Sequence, residues 1–371
     1  MNPFRYGQIV KKGDFCQRPD LNKKLSANIG RGQNVYIQGE RRIGKTSLIF
    51  ETVRKLKNYR LIYVDLLEVK SSDSFLKRII TAFISLEKST GFTEKIFKKL
   101  SHLKPVASID PITNLPTLSL DSSIVFRPDS IPGLVDLISS YHSKTKPIVV
   151  VFDEFQDILN LKDAIETLAI LRSRVQFQSG IPYIFSGSIR NKMDGIFNDP
   201  DTAFFKSAIP IQVGPIDRDK FQKFIISKFK TGTRQITVET LDTIFTICFE
   251  IPGDIQQLCS ALWETTSGDS KITQDYIPPA LEQVFSHELK GYETTLNIIT
   301  KQQLKMLTGL ARQGGKAPMS SGFLKNSGIA QASSVQRALN RLIDLKIIFY
   351  NENEYRYVNP FFRAWLLYKK F

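Results

Sequence analysis

Apolar residues along this chain alternate between short continuous runs and longer stretches in which they recur every three or four residues. The continuous runs predict β-strands at residues 34–38, 61–65, 147–152 and 182–186. The spaced stretches predict helices at residues 47–56, 74–87 and 164–178. Strands that alternate with helices are typical of a parallel sheet covered by helices. We therefore expect an α/β fold with a parallel sheet in the first part of the chain.

Between residues 89 and 132 this alternation stops. Prolines separate short polar and β-like stretches there, at positions 105, 111, 116, 128 and 132. Prolines of this kind interrupt helices and central strands. We interpret the region as an insertion in the core, with a β-hairpin around Asn114.

From about residue 217 only helical patterns remain, through about residue 290. The last segment predicts three helices, at residues 302–312, 320–326 and 333–345, and then two strands, at residues 347–350 and 355–358. This order is typical of a winged helix-turn-helix. The chain is therefore predicted to have three domains: an α/β core at residues 1–215, an all-helical lid at 216–295 and a winged-helix domain at 296–371.

Composition places the chain among globular proteins. Of its 371 residues, 42% are hydrophobic and 23% are charged, and no apolar run approaches the ~20 residues that cross a bilayer. The amino-terminal residues lack the apolar stretch of a secretory signal. The cysteines, Cys16, Cys248 and Cys259, have no C-x-x-C spacing, which favours reduced thiols. We expect a cytoplasmic protein without a membrane partner.

The net charge adds a hypothesis about partners. A formal charge of +15 indicates a polyanionic partner, with nucleic acid ahead of an acidic surface. A surface that is merely solubilising would give the same value, so charge alone leaves both interpretations open.

A phosphate-binding loop follows the first predicted strand. The pattern G-x-x-x-x-G-K-[ST] is met by Gly39, Glu40, Arg41, Arg42, Ile43, Gly44, Lys45 and Thr46, and Ser47 follows it. The glycines allow backbone N–H groups to turn toward an anion, and the next helix adds its positive end. Lys45 is expected to bind the β- and γ-phosphates of ATP, and Thr46 to bind Mg²⁺. A chance match is disfavoured because the loop lies between a strand and a helix.

Two adjacent carboxylates provide the chemistry for hydrolysis. Asp153 and Glu154 come directly after the apolar run at residues 147–152. At the carboxyl end of a parallel strand, Asp153 would face the metal and Glu154 the attacking water. The alternative is an acidic turn after a core strand, which the upstream loop disfavours. Together with Lys45, these residues predict an Mg²⁺-dependent ATPase.

These motifs make the chain resemble P-loop ATPases of the AAA+/STAND group. The opening residues 2–7, residues 15–18 and the loop at residues 39–47 resemble the prokaryotic "archaeal-type ATPase" branch, which is similar to origin-recognition and helicase-loader ATPases. The resemblance implies that Ser186 or Ser188, at the end of the strand at 182–186, acts as sensor 1. It also implies that residues 15–18 lie near the adenine.

The sequence departs from that family at two positions. The helical lid usually carries an arginine in a Gly-Asp-x-Arg motif, and here Gln256 takes its place after Gly253 and Asp254. Lys206 is the only cation where an arginine finger is usual, and Arg172, Arg174 and Arg190 are the alternatives. These departures put ring assembly in doubt and favour a slow or partner-stimulated ATPase.

The predicted recognition segment is residues 332–342, at the third helix of the winged-helix domain. Its predicted DNA contacts are Ser334, Gln336, Arg337, Asn340 and Arg341. Lys346, Arg356 and Arg363 are candidates for phosphate contacts around it. The aromatic segment at residues 357–365 leaves open the alternative that the winged helix contacts a protein.

Taken together, the motifs predict an ATP-driven switch in which lid closure controls how the winged helix engages duplex DNA. The alternative is a signalling or scaffold NTPase that assembles with a protein partner or with itself.

Overall fold

The computed structural model describes residues 1–86, 105–109, 116–120, 126–188, 190–329, 332–351 and 353–369, with the backbone alone at 105–109, 116–120, 190–191 and 332–333. The chain forms two compact units: Lys11–Gly214, and Met1–Val10 together with Pro215–Phe371. Residues 1–10 thus group with the second unit. The predicted boundary between lid and winged helix, at 295–296, stays a prediction.

The first unit is built on a parallel sheet. The strands of this unit are β1 (Val35–Gln38), β2 (Arg60–Asp65), β3 (Pro105–Ile109), β4 (Pro116–Leu120), β5 (Ile148–Asp153), β6 (Tyr183–Gly187) and β7 (Ile209–Gln212). Five of them form one sheet in the order β2-β5-β6-β1-β7, and all its strand pairs are parallel. The predicted fold class is confirmed. Strand β7 was not predicted, because it has four residues and Pro210 interrupts its apolar pattern; the proline is tolerated because β7 is an edge strand.

Helices cover both faces of this sheet. They are α1 (Pro19–Gly30), α2 (Lys45–Lys55), α3 (Ser72–Ile84), α4 (Ile131–Ser140), α5 (Ala164–Val175) and α6 (Arg190–Phe197). Every residue of β5 is buried, which explains why this strand is a continuous apolar run. The ring of Phe155, just after β5, packs at 4.6 Å from Phe185 and at 5.6 Å from Phe204. This aromatic cluster fixes the carboxyl end of β5 in the core.

The described part of the predicted insertion contains an antiparallel hairpin. Strands β3 and β4 pair from Pro105 opposite Leu120 to Ile109 opposite Pro116, whereas Asn114 lies outside the described residues. Helix α4 begins inside the range predicted as the insertion, and Ile131 is fully buried in the core. Pro132 did not signal a break there because proline is well tolerated in the first turn of a helix.

The second unit is mostly helical. Its elements are α7 (Arg218–Lys230), β8 (Gln235–Ile236), α8 (Val238–Ile247), α9 (Pro252–Thr265), β9 (Lys271–Ile272), α10 (Ile277–Asn297), α11 (Lys301–Gln313), α12 (Ser321–Ser327), α13 (Ala332–Asp344), β10 (Ile348–Asn351), β11 (Glu354–Tyr357) and α14 (Pro360–Tyr368). Helices α11 to α13 followed by the antiparallel pair β10–β11 confirm the predicted winged-helix order. Helix α14 was not predicted.

The first residues of the chain are fixed to this unit. The ring of Phe4 lies 4.7 Å from that of Phe229 and 6.3 Å from that of Trp263. The amide of Asn2 donates to the Ser260 carbonyl at 3.2 Å. The amino terminus is thereby attached to α7 and α9.

Glu288 in α10 joins the lid helices to α14. Its carboxylate accepts hydrogen bonds from Gln257 at 2.9 Å, Tyr292 at 3.0 Å and Asn359 at 2.6 Å. The Tyr292 ring packs 5.3 Å from Phe362 and 5.1 Å from Trp365. Much of the aromatic segment at residues 357–365 therefore belongs to the interior of this unit.

Within the described residues, no helix combines the length and the apolar character needed to cross a membrane.

Candidate nucleotide-binding site and winged helix

The loop between β1 and α2 has the backbone that a phosphate-binding loop requires. Gly44 has φ of 97° and Arg42 has φ of 61°, and the Ile43 N–H donates to the Glu40 carbonyl at 3.4 Å across a turn. A Cβ on Gly39 would lie 2.3 Å from the carbonyl oxygen of Val213. Glycine is therefore required at position 39 by a close backbone approach as well as by the motif.

Lys45 holds its ammonium group inside this loop. The side chain is only 5% exposed, and Nζ donates to the carbonyls of Gly39 at 3.0 Å and Glu40 at 3.1 Å. Burial lowers the pKa of Lys45 below its ordinary value, and the negative charges of Glu154 and Asp153 offset only part of that effect. The Lys45 amine thus lies within the loop, where phosphate oxygens would bind.

Asp153 ends β5 with both carboxylate oxygens engaged. Its Oδ2 accepts hydrogen bonds from the Thr46 hydroxyl at 2.6 Å and the Tyr63 hydroxyl at 2.7 Å. Its Oδ1 accepts the backbone N–H of Glu154 at 3.1 Å. A hydroxyl beside a buried carboxylate offers the hard oxygen ligands that Mg²⁺ prefers, so these residues fit the ion that the fold implies. Tyr63 was missed because its contact depends on strand pairing.

Glu154 has a strained backbone and a held side chain. Its φ of 51° is uncommon for a residue other than glycine, and such strain often accompanies functional sites. Its Oε2 accepts hydrogen bonds from the Ser188 hydroxyl and the Gln156 amide, each at 2.6 Å. Side chains from two segments of the chain, at Ser188 and at Gln156, therefore fix the orientation of the Glu154 carboxylate.

The two serines predicted as alternatives for sensor 1 have different surroundings. Ser188 bonds to Glu154, whereas Ser186 is fully buried in β6, and its hydroxyl has no hydrogen-bond partner among the described residues. Ser186 and Ser188 are two residues apart, a spacing that places side chains on the same face of a strand. Ser188 lies just beyond the end of β6, however, so the strand does not hold it to that face. The catalytic role of Ser186 stays a prediction.

The segment at residues 15–18 supports the loop from outside. The buried guanidinium of Arg18 donates to the carbonyl of Ile43 at 2.8 Å and to that of Gly214 at 2.5 Å. Burial lowers the pKa of Arg18 to about 10, so the group stays charged at neutral pH. The structure therefore links the phosphate loop to the last residue of the first unit, while the adenine contact predicted for this segment stays a prediction.

The residues considered for sensor 2 and the arginine finger are mostly engaged locally. Gln256 is buried in α9, and its Oε1 lacks a hydrogen-bond partner within the described chain. The exposed Lys206 places Nζ 5.0 Å from the Phe205 ring centre. Arg172 donates to Gln176 at 3.0 Å, and Arg174 lies 3.8 Å from Asp136. The side chain of Arg190 lies outside the described residues.

In the winged helix, α13 exposes the face predicted to read DNA. Four of the predicted contacts are exposed and Ser334 is half-buried; the exposed ones are Gln336, Arg337, Asn340 and Arg341. Gln336 donates to Asn340 at 2.8 Å, while Val335, Leu339 and Leu342 are buried on the opposite side. The helix is thus packed by one face and presents its polar face outward.

The three additional cations around α13 differ in availability. Lys346 is exposed, whereas Arg356 pairs with Glu354 at 2.9 Å. Arg363 is half-buried over the Phe249 ring at 5.5 Å, and burial lowers its pKa. Of the three, Lys346 is the best placed for a phosphate contact.

We predict that Gly39→Ala weakens nucleotide binding about 10-fold or more, because the new Cβ forces the loop away from Val213. Binding of a fluorescent ATP analogue measures this. Gly30→Ala is the matched control, since a Cβ there meets nothing within 4 Å. Equal affinity of wild type and Gly39→Ala would contradict the assignment of the loop.

Known families match both units of the chain. Residues 29–191 match the AAA domain family, and residues 290–368 match a family described as a probable winged helix domain. Among curated proteins, no sequence matches this chain.

Solved structures show the same fold over nearly the whole chain. A Walker-type ATPase of Pyrococcus abyssi is 16% identical with a TM-score of 0.67, over 98% of this chain and 99% of its own. The ORC1 protein of Aeropyrum pernix, solved in complex with DNA, is 11% identical with a TM-score of 0.52, over 95% of this chain and 92% of its own. The ORC2 protein of that organism, solved as ADPNP–ADP complexes, is 14% identical with a TM-score of 0.53, over 95% and 94%. The predicted resemblance to P-loop ATPases of the AAA+ group is therefore confirmed: the chain has an AAA domain at residues 29–191 and a winged helix domain at residues 290–368.

Proposed function

We propose that this ATPase is Mg²⁺-dependent and that its nucleotide state controls how the winged helix engages duplex DNA. The observation that carries the ATPase part is the contact of Thr46, the loop residue expected at the ion, with Asp153 at 2.6 Å. That contact brings the phosphate loop and the acidic strand end into one site.

The loop and the start of α2 would bind the phosphates. Lys45 would exchange its two carbonyl contacts for β- and γ-phosphate oxygens, which are stronger acceptors because they are charged. Helix α2 begins at Lys45, so its positive end points at the same place. Thr46 and Asp153 would hold Mg²⁺, which when bound neutralises charge on the phosphates.

Hydrolysis requires a group that orients water. Glu154 is the proposed base: its carboxylate would accept a proton from the water that attacks the γ-phosphorus, as the bond to the bridging oxygen of ADP breaks. Ser188 and Gln156 would set the direction of that carboxylate, because both donate to the same oxygen. On this proposal Ser188, and not Ser186, does the work of sensor 1.

The proposal for DNA rests on charge and exposure. Residues 301–371 contain 12 Lys and Arg and 3 Asp and Glu, so this segment contributes +9 of the chain's +15. Concentrated positive charge around an exposed recognition helix favours a phosphate backbone as the partner. The fold is also that of a protein solved in complex with DNA.

The alternative, a scaffold NTPase, has less support from the same segment. Tyr357, Phe361, Phe362 and Trp365 are each at most 5% exposed. The aromatic residues that suggested a protein-contact surface therefore fill the interior of the second unit and do not form such a surface.

Removing single groups should separate binding from hydrolysis. Lys45→Ala is expected to abolish ATP turnover by losing the phosphate contact, whereas Glu154→Gln should bind ATP and hydrolyse it at least ~100-fold more slowly. Phosphate release and nucleotide binding measure the two effects. Glu166→Gln, an exposed carboxylate on α5, is the control. Normal turnover by Glu154→Gln would remove Glu154 from the mechanism.

The double variant Arg337→Ala/Arg341→Ala is expected to bind duplex DNA at least ~10-fold more weakly than wild type and to show a shallower dependence on salt. Fluorescence anisotropy over a salt series measures both. The control Lys144→Ala/Lys162→Ala removes the same charge from exposed positions of the first unit. If both double variants weaken binding equally, or if binding ignores salt, α13 is not a DNA-reading helix and a protein partner is favoured.

A further inference from the structure

We propose that Tyr63 is a positioning residue for Asp153 and that its hydroxyl sets the affinity of the site for the divalent cation that accompanies ATP. This inference rests on the proposed function, because it takes Asp153 as a group of the metal site. The phosphate-loop motif contains no residue of β2, so Tyr63 is not among the residues that the motif supplies.

The first support is the hydrogen bond itself. The Tyr63 hydroxyl donates to Oδ2 of Asp153 at 2.7 Å, and the same oxygen accepts the Thr46 hydroxyl at 2.6 Å. Thr46 has one hydroxyl to serve both the carboxylate and the ion, whereas Tyr63 serves the carboxylate alone. Tyr63 can therefore keep Asp153 oriented while Thr46 binds the ion.

Strand pairing brings the two residues together. In the parallel register, Asp65 lies opposite Asp153 and Tyr63 lies opposite Val151. Since residues two apart on a strand share a face, Tyr63 and Asp153 lie on the same face of the sheet as diagonal neighbours. The long phenol can span that diagonal, where a shorter hydroxyl side chain would not reach.

Packing limits the freedom of the phenol. The Tyr63 ring centre lies 5.0 Å from that of Phe50, with the rings tilted by 60°. Phe50 is in α2, four residues after Thr46, so it lies on the same side of that helix. The helix that supplies the metal-binding hydroxyl thereby also holds the ring that positions Asp153.

The chemistry fits a supporting role. A phenol is a neutral hydrogen-bond donor at neutral pH, so Tyr63 can donate to the Asp153 carboxylate. Groups that orient a metal-binding carboxylate typically change metal affinity or activity by 10–100-fold when they are removed. Tyr63→Phe removes this donor and keeps the ring against Phe50.

The test uses the full-length protein and binding of a fluorescent ATP analogue, titrated with Mg²⁺. Tyr63→Phe is expected to raise the Mg²⁺ concentration for half-maximal binding about 10-fold, with unchanged binding in EDTA. Tyr183→Phe is the control: it also loses a buried phenol contact, to Gln178 at 2.5 Å, but at the amino end of its strand.

Three outcomes are decisive. Asp153→Asn, which removes the carboxylate from the proposed metal site, is measured in the same way. An unchanged Mg²⁺ dependence in Tyr63→Phe, with a shifted dependence in Asp153→Asn, would overturn the role of Tyr63 and leave the proposed metal site standing. An unchanged dependence in both variants would remove the metal site from the proposed function. If Tyr63→Phe loses binding of the ATP analogue in EDTA as well as in Mg²⁺, Tyr63 acts only in folding, which also overturns the inference.

Discussion

The carboxylate of Asp153 is the point on which the first unit depends, because it joins three elements through hydrogen bonds. Thr46 brings the start of α2 to it, Tyr63 brings β2, and Asp153 itself ends β5. A carboxylate at 4% exposure is costly unless it is hydrogen-bonded or paired. The hydroxyl donors and the nearby Lys45 ammonium offset that cost, so the arrangement that stabilises a buried charge is also the arrangement that can hold a cation.

The surrounding fold explains why such a site is possible. Parallel strands bring their carboxyl ends to one edge of the sheet. The phosphate loop follows β1 at that edge, and Asp153 and Glu154 lie at the end of β5 there. Arg18 holds the loop in place by donating to the carbonyl of Ile43. It also donates to the carbonyl of Gly214, where the first unit ends. Hydrogen bonds therefore connect the loop to the point where the chain leaves this unit. In the second unit, hydrogen bonds to Glu288 likewise connect the lid helices to α14.

The sequence alone predicted those features that depend on residues close together in the chain. The run at residues 147–152 predicted a strand because a strand buried on both faces must be apolar throughout, and the loop was found by its spacing. Tyr63 and Gln156 were missed because their contacts depend on strand register and on the turn at Glu154. Ser186 and Ser188 could not be separated without knowing that β6 ends at Gly187. Helix α14 was not predicted although Asn359 before Pro360 is a helix-start signal, because the aromatic residues around it are also typical of strands.

The central claim is that nucleotide and DNA binding are coupled. The most direct measurement is the affinity of Glu154→Gln, which should hold ATP without cleaving it, for duplex DNA in ATP with Mg²⁺ and in ADP with Mg²⁺. Coupling of typical size predicts affinities that differ at least ~5-fold between the two nucleotides. Equal affinities, with both nucleotides bound, would contradict a nucleotide-controlled switch and leave an ATPase and a winged helix that act independently.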